Sequence, residues 1–195
     1  MRRTVLPGLV AAWIACAAPC CSSTDVTLAT LPAGDDAQAP PAPRCASIFD
    51  CPAGTSYCDK TGCDSVSGTC VPFPADCDNE EKPVCGCDGI TYFDHCLRQQ
   101  AGIAAESPGP CPGLTCGGPS NIPCPANTFC AQLGGLGPGH CSPVAEGNCW
   151  VLPAQCPPPS QATNLWDSCE PGQHCVPTCD ALRMGGSYGR SVMCP

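Results

Sequence analysis

The sequence is poor in the large apolar side chains from which most hydrophobic cores are built. Val, Ile, Leu and Phe together make up about 15% of its 195 residues, and aromatic residues contribute only 5%. Such a chain buries too little apolar surface to offset the conformational entropy that folding removes. The shortage therefore argues against helix bundles, doubly wound sheets and large barrels.

Basic residues and long apolar runs are also scarce. The chain has 8 Lys and Arg against 17 Asp and Glu, a net charge of −9, and no basic stripe, so no nucleic-acid partner is expected. The apolar run at residues 5–15 is too short to span a bilayer. It follows Met1-Arg2-Arg3, which is typical of an exported chain, and we expect residues 1–15 to be a signal peptide.

Residues 14–16, Ile-Ala-Cys, resemble a bacterial lipobox, in which the cysteine is lipidated and becomes the mature N-terminus. Lipidation of Cys16 would make the protein a membrane-anchored lipoprotein at the cell surface, with the lipid as its sole attachment to the membrane. Ordinary signal-peptide cleavage nearby would instead release a freely secreted protein, and both readings stay open. Residues 22–44 are rich in Ala, Pro, Thr and Asp, so residues 16–44 are expected to be the anchor and a disordered linker.

What the chain has in abundance is cysteine. Its 23 cysteines are about 12% of the residues, above the roughly 8–10% that marks a disulfide scaffold. Export permits oxidation, and each bridge contributes about 2–4 kcal/mol to stability. From residue 45 onward the cysteines form two series of ten: Cys45, Cys51, Cys58, Cys63, Cys70, Cys77, Cys85, Cys87, Cys96 and Cys111, then Cys116, Cys124, Cys130, Cys141, Cys149, Cys156, Cys169, Cys175, Cys179 and Cys194.

The two series share spacings. Six residues separate the fifth and sixth cysteines in both, and fourteen separate the ninth and tenth. The sequence therefore predicts a small disulfide-rich fold of two homologous modules, 45–111 and 116–194, joined by a linker at 112–115. Each module is expected to hold one short hairpin and one short helix. In the first module these are a hairpin at 86–93 and a helix at 94–101 ended by Gly102; the helix of the second is at 180–184.

Residues 77–111 resemble a Kazal domain, the fold of a family of serine protease inhibitors. The motif is Val-Cys-Gly-Cys-Asp-Gly-Ile-Thr-Tyr at 84–92, with Cys77 before it and Cys96 and Cys111 after it. The whole ten-cysteine unit 45–111, with its Kazal lobe at 70–111, is similar to a follistatin-like domain. Residues 116–194 resemble a degenerate second copy.

The resemblance implies a set of disulfide bridges. In the first module they are Cys77–Cys96, Cys85–Cys111, Cys70–Cys87, Cys45–Cys58 and Cys51–Cys63. The corresponding bridges of the second module are Cys116–Cys130, Cys124–Cys141, Cys149–Cys175, Cys156–Cys179 and Cys169–Cys194.

The resemblance also implies a function. Kazal inhibitors insert a rigid, extended, substrate-like loop into a protease cleft. Here that loop lies between Cys77 and Cys85, and Asn79 would fill the protease's primary pocket. The expected protease contacts are Asp78, Asn79, Glu80, Glu81 and Lys82. Asp94 stands where the family has an Asn whose amide donates to loop carbonyls. The alternative is a non-inhibitory binding or structural module at the cell surface, and the partner is a serine protease or another extracellular protein.

Other motifs predict little chemistry. Residues 185–189 match the G-x-S-x-G pattern around Ser187, but no apolar strand precedes it, so we expect no enzyme. The cysteines lack zinc-ligand spacing, and neither a metal nor a cofactor is expected. Trp166 is expected either to anchor a partner as an exposed aromatic side chain or, preferably, to cover the small core beside the bridges.

Overall fold

The structure, a computed structural model, describes residues 41–112, 115–136 and 145–190. The expected signal peptide, Cys16 and nearly all of the linker fall outside the described residues. No helix in the described ranges has the length and apolar character needed to cross a membrane.

Regular structure in the described residues consists mainly of short strands. The strands are β1 (Arg44–Cys45), β2 (Ser56–Lys60), β3 (Gly68–Pro72), β4 (Val84–Gly86), β5 (Thr91–Tyr92), β6 (Ala105–Pro108), β7 (Thr115–Gly117), β8 (Phe129–Leu136), β9 (Glu146–Val151), β10 (Leu165–Ser168), β11 (Val176–Pro177) and β12 (Ser187–Arg190). The α-helices are α1 (His95–Gln100) and α2 (Thr178–Met184), and the 3-10 helices are Ile48–Asp50 and Pro159–Gln161. The fold is thus disulfide-rich with few helices, and it holds more strand than the sequence predicted.

Residues 44–72, called the leading lobe below, form a three-stranded antiparallel sheet in the order β1-β3-β2. Its buried cluster consists of four cysteines, Cys45, Cys51, Cys58 and Cys70. Next to it the fully buried ring of Tyr57 stacks on Phe73 with a centroid distance of 5.5 Å. Since so few apolar side chains are present, sulfur and one aromatic pair take the place of an aliphatic core.

Residues 73–111, called the Kazal-like lobe, contain the predicted hairpin and helix. Strands β4 and β5 pair antiparallel around the Asp88-Gly89 turn, which confirms the hairpin. The Asp94 side chain caps α1 by accepting the Leu97 N–H at 2.8 Å. Gly102, with a φ of +70°, follows the helix in a conformation that favours glycine, as its position in the sequence predicted.

Residues 115–136 and 145–190 are called the second lobe, and they share one sheet with the Kazal-like lobe. That sheet runs in the order β11-β10-β12-β8-β9-β5-β4-β6, with β7 also paired to β9. The junction is a parallel pairing of β5 with β9, in which Thr91 lies beside Trp150 and Tyr92 beside Val151. Helix α2 covers the predicted residues 180–184 and begins two residues earlier.

The main apolar core crosses this junction. It joins one side chain of the Kazal-like lobe, Phe93, to a set from the second lobe: Ala131, Trp150, Leu152, Cys179 and Leu182. Leu97 of α1 packs against the same cluster. The two lobes are therefore held together by shared backbone pairing and by a shared core.

Eight disulfide bridges lie within the described residues. They are Cys45–Cys58, Cys51–Cys70, Cys63–Cys87, Cys77–Cys96, Cys85–Cys111, Cys116–Cys130, Cys124–Cys149 and Cys156–Cys179. Cys169 and Cys175 are disulfide-bonded as well. Cys141 and Cys194 lie outside the described residues, so the expected Cys169–Cys194 bridge stays a prediction.

Two expected pairings in the first series, Cys70–Cys87 and Cys51–Cys63, are wrong. Cys70 lies on the central strand of the leading lobe, and its Cα is 5.5 Å from that of Cys51, so these two bond to each other. Cys63, in the turn between β2 and β3, is left to reach Cys87 at a Cα separation of 5.3 Å. The Cys63–Cys87 bridge, which joins the leading lobe to the Kazal-like lobe, therefore starts from the β2–β3 turn and not from the central strand β3.

The same correction applies to the second series. Cys124–Cys141 and Cys149–Cys175 are wrong, because Cys124 and Cys149 are bridged to each other with a Cα separation of 5.6 Å. Cys149 lies on β9, which is the central strand between β7 and β8. As in the leading lobe, the cysteine on the central strand bonds to a cysteine in the segment that joins the two outer strands.

Candidate functional site

The segment between Cys77 and Cys85 is a short loop held at both ends. Cys77 is bridged to Cys96 in α1, and Cys85 in β4 is bridged to Cys111. These are the two bridges that the family resemblance implied for this loop. Because both ends are fixed, the loop has little conformational entropy left to lose when it binds a partner.

The chain turns at Asn79 instead of passing through it in an extended conformation. Asn79 has a φ of +56°. The Asp78 carboxylate accepts a hydrogen bond from the Glu80 N–H at 3.3 Å, which stabilises the turn. Asn enters the left-handed region at lower cost than most residues. The position expected to fill a protease pocket therefore departs from the substrate-like geometry that the resemblance implied.

Three loop side chains point toward solvent. Asp78, Glu80 and Lys82 are exposed, and the Lys82 Nζ lies 2.7 Å from the Glu80 carboxylate. This hydrogen bond raises the pKa of the Lys82 ammonium. The outward face of the loop therefore presents two carboxylates and one ammonium, two of which neutralise each other.

Glu81, also expected to contact a protease, points in the opposite direction. Its side chain is 6% exposed. The Glu81 Oε1 accepts hydrogen bonds from the Thr178 hydroxyl at 2.7 Å and from the Asn164 amide at 2.9 Å. Both donors belong to the second lobe. The Glu81 side chain is thus docked against the chain itself, while its neighbours Glu80 and Lys82 face solvent.

Further hydrogen bonds extend this contact into a chain of polar groups. The Trp166 Nε1–H donates to the Thr178 hydroxyl at 2.9 Å, and that hydroxyl in turn donates to Glu81. On the other side the Arg190 guanidinium donates to the Asn164 carbonyl oxygen at 3.2 Å. Each donor along the chain faces an acceptor, so the arrangement satisfies the buried Glu81 Oε1 without any cation.

A cleft of about 450 Å³ opens beside this contact, between the Kazal-like and second lobes. Its lining is Glu81, Pro83, Pro110, Ala131, Leu133, Asn148, Trp150, Asn164, Trp166, Thr178 and Arg190. Trp150 is buried, whereas Trp166 is half-buried. Trp166 lines the cleft and is not among the described side chains that pack against the main core, so its role as a partner anchor or as a core cover stays a prediction.

Asp94, where the family has Asn, is buried at the start of α1. Its Oδ1 accepts the Leu97 N–H, and its Oδ2 makes no hydrogen bond within the described residues. Burial raises the pKa of this carboxyl group above its ordinary value. An ionised Asp94 can only accept hydrogen bonds, so it cannot donate to the loop carbonyls as an amide would.

The serine of the G-x-S-x-G pattern does not lie at a strand-to-helix turn. Ser187 begins β12, and its hydroxyl lies 3.3 Å from the Gln132 carbonyl oxygen of the neighbouring β8. The nucleophile-elbow arrangement requires a sharp turn between a strand and a following helix. The local geometry at Ser187 is therefore that of a paired strand residue.

Comparison with known families agrees with the resemblance. Residues 74–111 match the model of the Kazal-type serine protease inhibitor domain, about a fifth of the chain. No curated protein matches the chain. The matched segment is similar to Kazal-type domains, which are typically extracellular inhibitors and not enzymes.

Proposed function

We propose that this chain is an exported, Kazal-type protein that binds a serine protease through the exposed part of the loop at residues 78–82. The observation that carries the proposal is the family match over residues 74–111, in which the loop is clamped by Cys77–Cys96 and Cys85–Cys111. A clamped loop needs no catalytic residue, because tight and slowly reversible binding is itself the inhibition.

The side chains of the loop limit which protease it would bind. Asn79 is short and uncharged, so it offers no cation to a trypsin-like pocket and no large apolar group to a chymotrypsin-like one. Asp78 and Glu80 would be rejected by an acidic cleft. The expected target therefore has a small or polar primary pocket and a neutral or basic rim.

The docking of Glu81 limits how strongly the loop would bind. A protease that covers the whole loop would have to displace Thr178 and Asn164 from the Glu81 carboxylate, or bind around them. We therefore expect the full chain to be a weak inhibitor, with a dissociation constant far above those of freely presented loops.

The test is a titration of the oxidised full chain against trypsin-, elastase- and subtilisin-like proteases. Stoichiometric inhibition of one of them, weakened by Asn79→Ala, supports the proposal. Asn121→Ala is a matched control, because Asn121 is also a non-glycine residue with a positive φ but lies in the second lobe, away from the loop. Equal loss of inhibition in both variants would show a general structural effect and would contradict the role of the loop.

A second candidate is a non-inhibitory binding module that keeps the Kazal frame. The left-handed φ of Asn79 and the burial of Glu81 favour it, because both remove the substrate-like presentation of the loop. In that case the chain would survive incubation with all three proteases and inhibit none. Failure of inhibition together with cleavage at residues 78–82 would contradict both candidates as stated, since the loop would then be an ordinary substrate.

Attachment to a membrane by a lipid on Cys16 is part of the same proposal. Its support is the lipobox-like sequence at residues 14–16. Intact mass measurement of the exported protein would show an added diacylglyceryl group that Cys16→Ser removes. A mature protein of unmodified mass would leave a freely secreted form.

A further inference from the structure

We propose that the cleft between the Kazal-like and second lobes binds a primary alkylammonium group, with Glu81 as the anion that receives it. The feature that points to a ligand is a buried carboxylate with no cationic partner. Glu81 is 6% exposed, and no Lys, Arg or His nitrogen within the described residues forms an ion pair with it.

The two oxygens of Glu81 are used unequally. Oε1 accepts from both Thr178 and Asn164, whereas Oε2 accepts no hydrogen bond from any residue that the structure describes. Oε2 is also not among the fully buried atoms that lack a partner. It is therefore an open acceptor site on a carboxylate that lines the cleft.

A carboxylate held by neutral donors alone is costly to bury. Removing a charge from water costs far more than two neutral hydrogen bonds return, unless an opposite charge compensates. An ammonium group from outside the chain would supply both the missing charge and a donor for Oε2.

The walls of the cleft suit the same group. Trp150 and Trp166 both line the cleft, and indole faces attract cations while packing against methylene groups. The volume of about 450 Å³ falls within the range of small-ligand sites. An alkylammonium chain places its methylenes against apolar walls and its charged end at the carboxylate.

Among the residues that the structure describes, Arg190 is the only other charged one that lines the cleft, and it forms no ion pair with Glu81. Its guanidinium is tied to the far side of the Asn164 amide, so one whole carboxamide separates the two charges. Arg190 is exposed. It therefore marks the rim of the cleft, where its charge is screened by water.

A primary alkylammonium group could come from two sources, a free amine or the side chain of a lysine in another protein. The experiment titrates the oxidised full chain with n-butylammonium, with N-acetyl-lysine amide and with the uncharged n-butanol, and follows tryptophan fluorescence. Butylammonium is expected to change the fluorescence saturably, and butanol is not. Binding of the lysine amide as well identifies a lysine side chain as a ligand, and its absence restricts the site to free amines.

Matched variants distinguish an effect of the Glu81 carboxylate from an effect of the overall negative charge of the loop. Glu81→Gln keeps the oxygen that accepts from Thr178 and Asn164 but removes the charge, and it is expected to weaken butylammonium binding about tenfold or more. Glu80→Gln makes the same change on the exposed neighbour and is expected to leave binding unchanged. Trp166→Phe should reduce the fluorescence response.

Three results would overturn the proposal. They are no saturable response to butylammonium, an equal response to butanol, or equal binding by the Glu81→Gln and native chains. Any of these would leave Glu81 as a contact between lobes only. None of them bears on protease inhibition, so the two proposals can fail separately.

Discussion

The leading lobe and the second lobe begin with the same arrangement of three strands and differ in what fills it. Cys45 lies opposite Gly68 and Cys58 opposite Cys70 in the first, while Cys116 lies opposite Gly147 and Cys130 opposite Cys149 in the second. In each series of ten cysteines, the first bonds to the third, the second to the fifth and the sixth to the ninth.

These correspondences support the proposal that the chain contains two copies of one unit. The difference lies in the core. The buried cluster of the leading lobe is four cysteines, whereas the second lobe surrounds Trp150 with aliphatic side chains and takes Phe93 from the Kazal-like lobe. One frame is thus stabilised mainly by bridges, and its counterpart by bridges together with apolar packing.

The largest expected effect comes from removing Phe93, the Kazal-like-lobe side chain that enters the core of the second lobe. Phe93→Ala should lower the free energy of unfolding by about 4 kcal/mol, because it leaves a cavity in the main core. Phe73→Ala is the control. It removes a partly exposed ring that stacks on the buried Tyr57, so it should cost clearly less. Denaturant unfolding of the oxidised protein measures both, and equal losses would contradict the placement of the main core at the junction of the Kazal-like and second lobes.

Removing the equivalent bridge from each lobe tests the comparison directly. Cys51→Ala with Cys70→Ala should cost about 3 kcal/mol and unfold the leading lobe, since little else holds it. Cys124→Ala with Cys149→Ala should leave the second lobe folded around Trp150. Hydrogen exchange at the β2 and β8 amides distinguishes these outcomes, and protection of β2 in the first variant would show that the leading lobe does not depend on its bridge.

Gly68 and Gly147 are equivalent positions, because each lies opposite the first cysteine of its series. Substituting them is expected to change stability by less than the bridge variants do. A Cβ at Gly68 would lie 2.3 Å from the Asp59 carbonyl oxygen, and one at Gly147 would lie 2.3 Å from that of Ala131. Both glycines lie on a strand with a neighbouring strand on each side. Gly147→Ala should cost about 2 kcal/mol because β9 lies inside the larger sheet, and Gly68→Ala about 1 kcal/mol because Gly68 begins β3 at the end of the β2–β3 hairpin, which can open. Thermal unfolding ranks them, and the reverse order would mean that the leading sheet is the stiffer one.

The smallest expected effect concerns the starts of the two helices. Asp94 caps α1 with its side chain, whereas Pro177 precedes α2 without such a cap. The raised pKa of Asp94 means that folding favours its protonated form, so its contribution is full below about pH 4 and is lost as pH rises through the folded-state pKa.

Asp94→Asn keeps the capping oxygen and replaces the unpartnered Oδ2 by a donor. The variant should be more stable than the native chain by about 1 kcal/mol at pH 7 and equal to it at pH 3. Unfolding at both pH values measures the difference. A constant difference between pH 3 and pH 7 would exclude titration of Asp94 as its cause.

Local features of the fold could be predicted from the sequence. The turn at Asp88-Gly89, the helix before Gly102 and the bridges that clamp the loop all depend on residues close together in the chain or on a specific motif. The pairings of Cys51 and Cys63 could not be predicted, because several cysteines stood at suitable spacings and only the strand registers distinguish among them.

The inward position of Glu81 had no signal in the loop sequence. Its donors Asn164 and Thr178 are 83 and 97 residues away along the chain. Alternation along the loop offered no guide, since the loop is not a strand. The parallel pairing of β5 with β9 could not be predicted either, because no feature near one of these short strands in the sequence indicates the other as its partner.

That parallel pairing also has a consequence for how the chain is made. Until Trp150 and Val151 are synthesised, β5 is an open strand edge and Phe93 has no core to enter, and both features invite association with other chains. A half-completed chain is therefore expected to need protection during synthesis. For the same reason, truncation at residue 112 would expose the very edge that the second lobe covers.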